Sequence, residues 1–94
     1  MIRHIVLFST KDPGNAATIK EELEKMAAIP GVQRFDVAYN TKRDRFSKEI
    51  DVVLYSEFAT WSDLDAYQTH PAYHQATEIV RPLRDQRIVV DYEV

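Results

Sequence analysis

Ile2 to Ser9 is rich in Ile, Val, Leu and Phe and stops at the breaker Lys11-Asp12-Pro13-Gly14-Asn15, the pattern of a buried strand. Ile19, Leu23 and Met26 then recur at helical spacing beside Ala16 and Ala27, with Lys20, Glu21, Glu24 and Lys25 opposite. This predicts an amphipathic helix from about Ala16 to Ile29, ended by Pro30-Gly31. Phe35, Val37 and Tyr39 alternate with Arg34, Asp36 and Ala38, the period of two of a strand covered on one face. Asn40 to Glu49 has no apolar period and carries Lys42, Arg43, Arg45 and Lys48, so it reads as a mobile, locally basic loop. Ile50 to Phe58 is a second buried strand. Thr60 with Asp63 marks a helix start, followed by Trp61, Leu64 and Tyr67. Pro71 suits the first position of a further helix, whose stripe is Ala72, Ala76, Ile79, Val80 and Leu83, disturbed near Pro82. Arg87 to Tyr92 closes the chain as a fourth strand. The order is β-α-β-β-α-β, with the second helical region in two pieces. That is an α+β, ferredoxin-like arrangement of a four-stranded antiparallel sheet under helices, in one domain over residues 1–94.

Strand parity assigns the faces of that sheet. His4, Val6, Phe8, Val52, Leu54, Ser56 and Phe58 form a nearly uncharged set and are expected under the helices, with Phe35, Val37, Tyr39, Ile88, Val90 and Tyr92. The opposite set is apolar at its centre (Ile5, Leu7, Val53, Tyr55, Val89) and charged at its ends (Arg3, Asp51, Glu57, Asp91), like a small interface with a polar rim. One helix layer covers one face only. The other is therefore expected to pack on a second copy of the chain, giving a homodimer through the open sheet face. A monomer whose open face tolerates a few aliphatic residues is the competing reading.

Composition narrows the function classes. The 94 residues carry 12 Lys and Arg against 15 Asp and Glu, a net charge of −3, so no general basic field exists to hold nucleic acid. There is no cysteine for a disulfide, thiolate zinc site or cysteine nucleophile. No apolar run approaches the roughly 18 residues that span a bilayer, and the first strand lacks a cleavage region. The expected protein is cytoplasmic, with no nucleic-acid or membrane partner.

The segments Met1-Ile2-Arg3-His4-Ile5-Val6-Leu7-Phe8, Ile29-Pro30-Gly31-Val32, His70-Pro71-Ala72, Arg81-Pro82-Leu83 and Val89-Val90-Asp91-Tyr92-Glu93 occur in an order that spans the chain. They resemble the stress-responsive A/B barrel, or Dabb, family. The resemblance implies a dimeric α+β barrel in which two ferredoxin-like subunits pack their sheets together. Its best-understood relatives imply a polyketide-cyclase-like activity: a largely apolar carbonyl compound held between sheet and helices and closed by acid–base chemistry without a cofactor. Related barrels also include haem-degrading monooxygenases.

By that resemblance, His4 corresponds to the strand-one histidine and Tyr67 to the cyclase tyrosine ahead of the His-Pro element. The cyclases carry His-Pro-x-His; here His70-Pro71-Ala72 is followed by Tyr73 and only then His74. Tyr73 is a poor base at neutral pH and a competent proton donor or oxyanion partner. The candidate catalytic residues are His4, Tyr67 and Tyr73, with Val6, Phe8, Val52, Leu54 and Leu64 lining an apolar cavity. His4 and Tyr67 have structural alternatives, a buried, hydrogen-bonded imidazole and core filling; Trp61, the sole tryptophan, is expected to pack in the core or at a dimer contact rather than line a pocket. His74 falls on the solvent side of its helix. His70 and His74 share an i, i+4 spacing, but no third ligand is predicted beside them, so no metal site is assigned. The alternative function is a noncatalytic dimer that uses the same cavity for ligand binding or stress protection.

Overall fold

The computed structural model describes all residues, Met1 to Val94. Strand β1 (Ile2–Thr10) leads through a single 3-10 turn at Pro13–Asn15, capped by the Asp12 carboxylate, into helix α1 (Ala16–Glu24). The helix tightens into a 3-10 turn over Lys25–Ala28 instead of remaining α-helical to Ile29. Gly31, at φ +91°, turns the chain into β2 (Val32–Tyr39); a side chain there would be strained. Strand β3 (Val52–Phe58), helices α2 (Trp61–Gln68) and α3 (Pro71–Val80), and strand β4 (Arg84–Glu93) complete the chain. β3 starts two residues later than the apolar run, and β4 starts three residues earlier than its own.

The caps explain the breaks between helices. Thr60 Oγ1 accepts the Asp63 N–H at 3.1 Å and starts α2. His70 Nδ1 accepts the Ala72 N–H at 3.0 Å and starts α3, with Pro71 supplying the fixed φ of the first turn. His70 is thus a helix cap. Trp61, expected in the core or at a dimer contact, opens α2 with 46% of its surface exposed.

The strands form one antiparallel sheet in the order β2-β3-β1-β4, the ferredoxin-like topology. The core lies between the sheet and the helices: Ile2, Val6, Phe8, Val52, Leu54 and Phe58 from the sheet meet Ile19, Leu23, Met26, Leu64, Tyr67, Ala76 and Val80. Phe35 and Val37 pack against this core as expected. Tyr39 pairs with Val52 on the same face but sits at the strand end, half exposed, under the Lys20 ammonium.

The expected parity of β4 is reversed. Arg3 pairs with Tyr92, Ile5 with Val90 and Leu7 with Ile88, whereas His4 pairs with Asp91 and Val6 with Val89. Paired residues share a face, so Ile88, Val90 and Tyr92 belong to the open side, and Val89 and Asp91 to the helix side. The open face is consequently more apolar than its sequence pattern suggested, and Asp91 is delivered to the buried side. A one-residue shift in pairing exchanges the two sets, and strand β4 itself, apolar at Ile88, Val89 and Val90 in succession, does not specify which way it lies.

The loop from Asn40 to Asp51 is organised by its own hydrogen bonds. Asn40 Nδ2 donates to the Ser47 and Ile50 carbonyls at 2.7 and 2.8 Å, and Lys42 pairs with Asp51, which also accepts the Thr10 N–H at 2.8 Å. Phe46 stands 82% exposed at its tip.

Candidate functional site

A cavity of about 330 Å³ lies between the helix face of the sheet and α1, α2 and α3. Strand β1 supplies His4, Val6 and Phe8, β3 supplies Leu54, and α1 with its terminal turn supplies Leu23 and Met26. Tyr67 and Gln68 enter from α2 and Tyr73, His74, Thr77 and Val80 from α3; Arg81, Arg84 and Arg87 complete the lining. The structure therefore brings together His4, Tyr67, Tyr73, Val6, Phe8 and Leu54. Val52 and Leu64 are buried in the core and do not reach the cavity wall. His74, expected to face solvent, is exposed and also borders the cavity beside Tyr73, their ring centroids 6.3 Å apart.

His4 is 1% exposed, and its Nδ1 lies 2.5 Å from Asp91 Oδ1. An ionised carboxylate can only accept, so Nδ1 carries the hydrogen and Nε2 of the neutral ring keeps a lone pair. Nε2 makes no hydrogen bond within the chain, and Arg3 Nε is the one fully buried side-chain polar atom without a partner. Nε2 therefore retains contact with the cavity space. Ser56, opposite His4 on β3, is small enough to leave the imidazole room and donates its hydroxyl to the His4 carbonyl at 3.2 Å.

Tyr67 is also 1% exposed, with its ring 5.0 Å from Phe58, 5.3 Å from Tyr73 and 6.4 Å from His4. Its hydroxyl has only the Met26 sulfur as partner, at 3.8 Å. Burial pushes the Tyr67 phenol well above the usual tyrosine range; the neighbouring Tyr73 adds to the rise and Arg87 opposes it. It is a protonated donor at neutral pH. Tyr73 Oη accepts from Arg87 Nη2 at 3.2 Å, which leaves its own hydrogen free to be donated.

These groups lie around one cavity: an imidazole hydrogen-bonded to a carboxylate, the Tyr67 ring 6.4 Å from it, and Tyr73 packed against Tyr67. Asp91, Arg84 and Arg87 were not among the expected site residues. The signal for Asp91 is a charged residue inside an apolar terminal strand. Only the β1–β4 register turns it toward His4.

The stress-responsive A/B barrel domain family model matches residues 2–94. No protein of curated function matches the chain. Among solved structures, a dimeric protein of unknown function with a ferredoxin-like fold from Bacteroides fragilis NCTC 9343 is 29% identical, covering 99% of this chain and 95% of its own, with a TM-score of 0.83. A dimeric ferredoxin-like protein of unknown function from Thermobifida fusca YX is 26% identical, covering 99% and 90%, with a TM-score of 0.85. A protein from Nitrosomonas europaea, named after the antibiotic biosynthesis monooxygenases, is 25% identical, covering 100% and 98%, with a TM-score of 0.79.

Proposed function

This chain belongs to the stress-responsive A/B barrel domain family, and on that premise we propose that it is a homodimeric acid–base enzyme acting on a small, largely apolar carbonyl compound held in the cavity between sheet and helices. The observation that carries this reading is His4 at the cavity wall with Asp91 hydrogen-bonded behind it. Nε2 of His4 removes a proton from the carbon beside the carbonyl, and Asp91 steadies the imidazolium that forms. Tyr67 and Tyr73 donate to the developing enolate oxygen, a role that suits the Tyr67 phenol, which burial keeps protonated, and the Tyr73 phenol, whose own hydrogen is free. His4 then returns the proton to the product. All these steps use side chains of the chain itself.

The dimer reading is supported by the open face, where Ile5, Leu7, Val53, Tyr55, Ile88, Val90 and Tyr92 stand together without a covering layer, and by the dimeric B. fragilis and T. fusca proteins. The likeness to the N. europaea protein supports a cavity for small organic molecules. Tyr73, standing where the cyclases carry histidine, favours the second reading: a noncatalytic protein that binds a ligand in the same cavity.

Deuterium incorporation into a 1,3-diketone such as heptane-2,4-dione, followed by NMR in D2O, separates the two. Catalysis predicts exchange accelerated by the protein and lost in His4→Ala. Binding to the parent without faster exchange would establish the noncatalytic reading.

A further inference from the structure

Pairing between β1 and β4 is interrupted once. Phe8 pairs with Arg87 and Thr10 with Arg84, so two steps along β1 oppose three along β4. In a regular strand, residues three apart point to opposite faces; the extra residue of this bulge brings Arg84 onto the same face as Arg87. The bulge is held in place: the Gln86 N–H donates to Ser9 Oγ at 2.9 Å, and the Lys11 N–H to the Leu83 carbonyl at 3.2 Å. Both guanidinium groups consequently border the cavity.

Neither is neutralised. Arg84 contacts only the Asp85 carbonyl, at 3.5 Å, and Arg87 only the Tyr73 hydroxyl. Glu78 is engaged by Arg81 at 2.9 Å and Asp91 by His4, and Asp85 and Glu49, which border a separate surface pocket beside Thr10, pair with neither arginine. Two half-buried arginines without a carboxylate partner thus border a cavity whose inner wall is Val6, Phe8, Leu23, Met26 and Leu54 and whose polar side also holds His4, Gln68, His74, Thr77 and Arg81, in a chain of net charge −3.

Deepening the cavity reading above and resting on it, we propose that the occupant is an amphipathic organic acid, its carboxylate held by Arg84 and Arg87 and its apolar body lying against Val6, Phe8 and Leu54. The forked guanidinium geometry matches a carboxylate, and the Arg87–Tyr73 hydrogen bond links the charged end to the Tyr73 phenol. Arg84 and Arg87 thus select the substrate class.

The test is an NMR titration of the labelled protein with 4-phenylbutanoate and decanoate, each paired with its primary amide, reading shifts at His4, Leu54 and Tyr67. The acids are expected to bind at least about tenfold more tightly than the amides. Arg84→Gln and Arg87→Gln should each remove about tenfold of the acid affinity and leave amide affinity unchanged, and Arg87→Lys should recover only part because it keeps the charge without the fork. Amides that bind as tightly as acids would overturn the anion assignment and leave the cavity reading standing. Shifts absent from all three lining residues with both classes would overturn both.

Discussion

His4 Nδ1 and Asp91 Oδ1 lie 2.5 Å apart although 87 residues separate them in the chain, because β1 and β4 pair along nearly their full lengths and set the two residues directly opposite each other. The imidazole is enclosed while the carboxylate side chain is 31% exposed. Asp91 thus reaches the histidine from the edge strand and fixes which ring nitrogen faces the cavity.

Replacing Asp91 by Asn exchanges an obligate acceptor for a group that can also donate, and the amide can stabilise the opposite His4 tautomer. Asp91→Asn is expected to lower proton-exchange activity by about a hundredfold or more while the protein remains folded. Nitrogen-15 NMR of the His4 ring should show the proton moving from Nδ1 to Nε2. An unchanged tautomer and rate would remove Asp91 from the mechanism.

Tyr67→Phe deletes a hydroxyl whose only partner is a sulfur, so the neutral-pH stability cost is expected to be no more than about 1 kcal/mol. The alkaline limb tells more. An unfolded tyrosine releases its proton near pH 10, whereas the buried Tyr67 retains it, so the unfolded state binds fewer protons above that pH. Its contribution is full below pH 10 and declines by about 1.4 kcal/mol per pH unit above it. Urea titrations across that range should show a slope shallower by one proton in Tyr67→Phe.

The open sheet face provides an independent test. Val90→Asp places a carboxylate midway along β4 on the apolar open face, beside Ile5 and outside the core. Light scattering on a sizing column should give the parent twice the 10.9 kDa chain mass and the variant that mass once, with an unchanged far-ultraviolet spectrum. A parent that elutes as a single chain at micromolar concentration would sink the dimer.

His70 caps α3 through a ring nitrogen. His70→Ala is expected to cost about 1 kcal/mol in urea unfolding, and His70→Asn to recover most of it, because asparagine is among the best caps. Equal stability of the alanine variant would show that the cap contributes nothing.

Much of this molecule was readable along the chain. The periods of two and 3.6, the Pro and Gly breaks and the Thr60 and Pro71 starts determined the element order and hence the antiparallel sheet under helices. Parity in β1 and β3 determined that His4, Val6, Phe8 and Leu54 face the helices, because each strand mixes one uncharged set with one charged set. Tertiary pairing alone decided β4, where the apolar run suits either face and the hydrogen-bond register with β1 selects one. That choice brings Asp91 to His4, widens the open apolar face, and through one extra residue at the bulge turns Arg84 beside Arg87. Local pattern specifies elements because burial acts on each residue's own chemistry. Contacts between His4 and Asp91, or between the bulge and Ser9, depend on which residues of distant strands come to lie opposite each other, a relation no single segment contains.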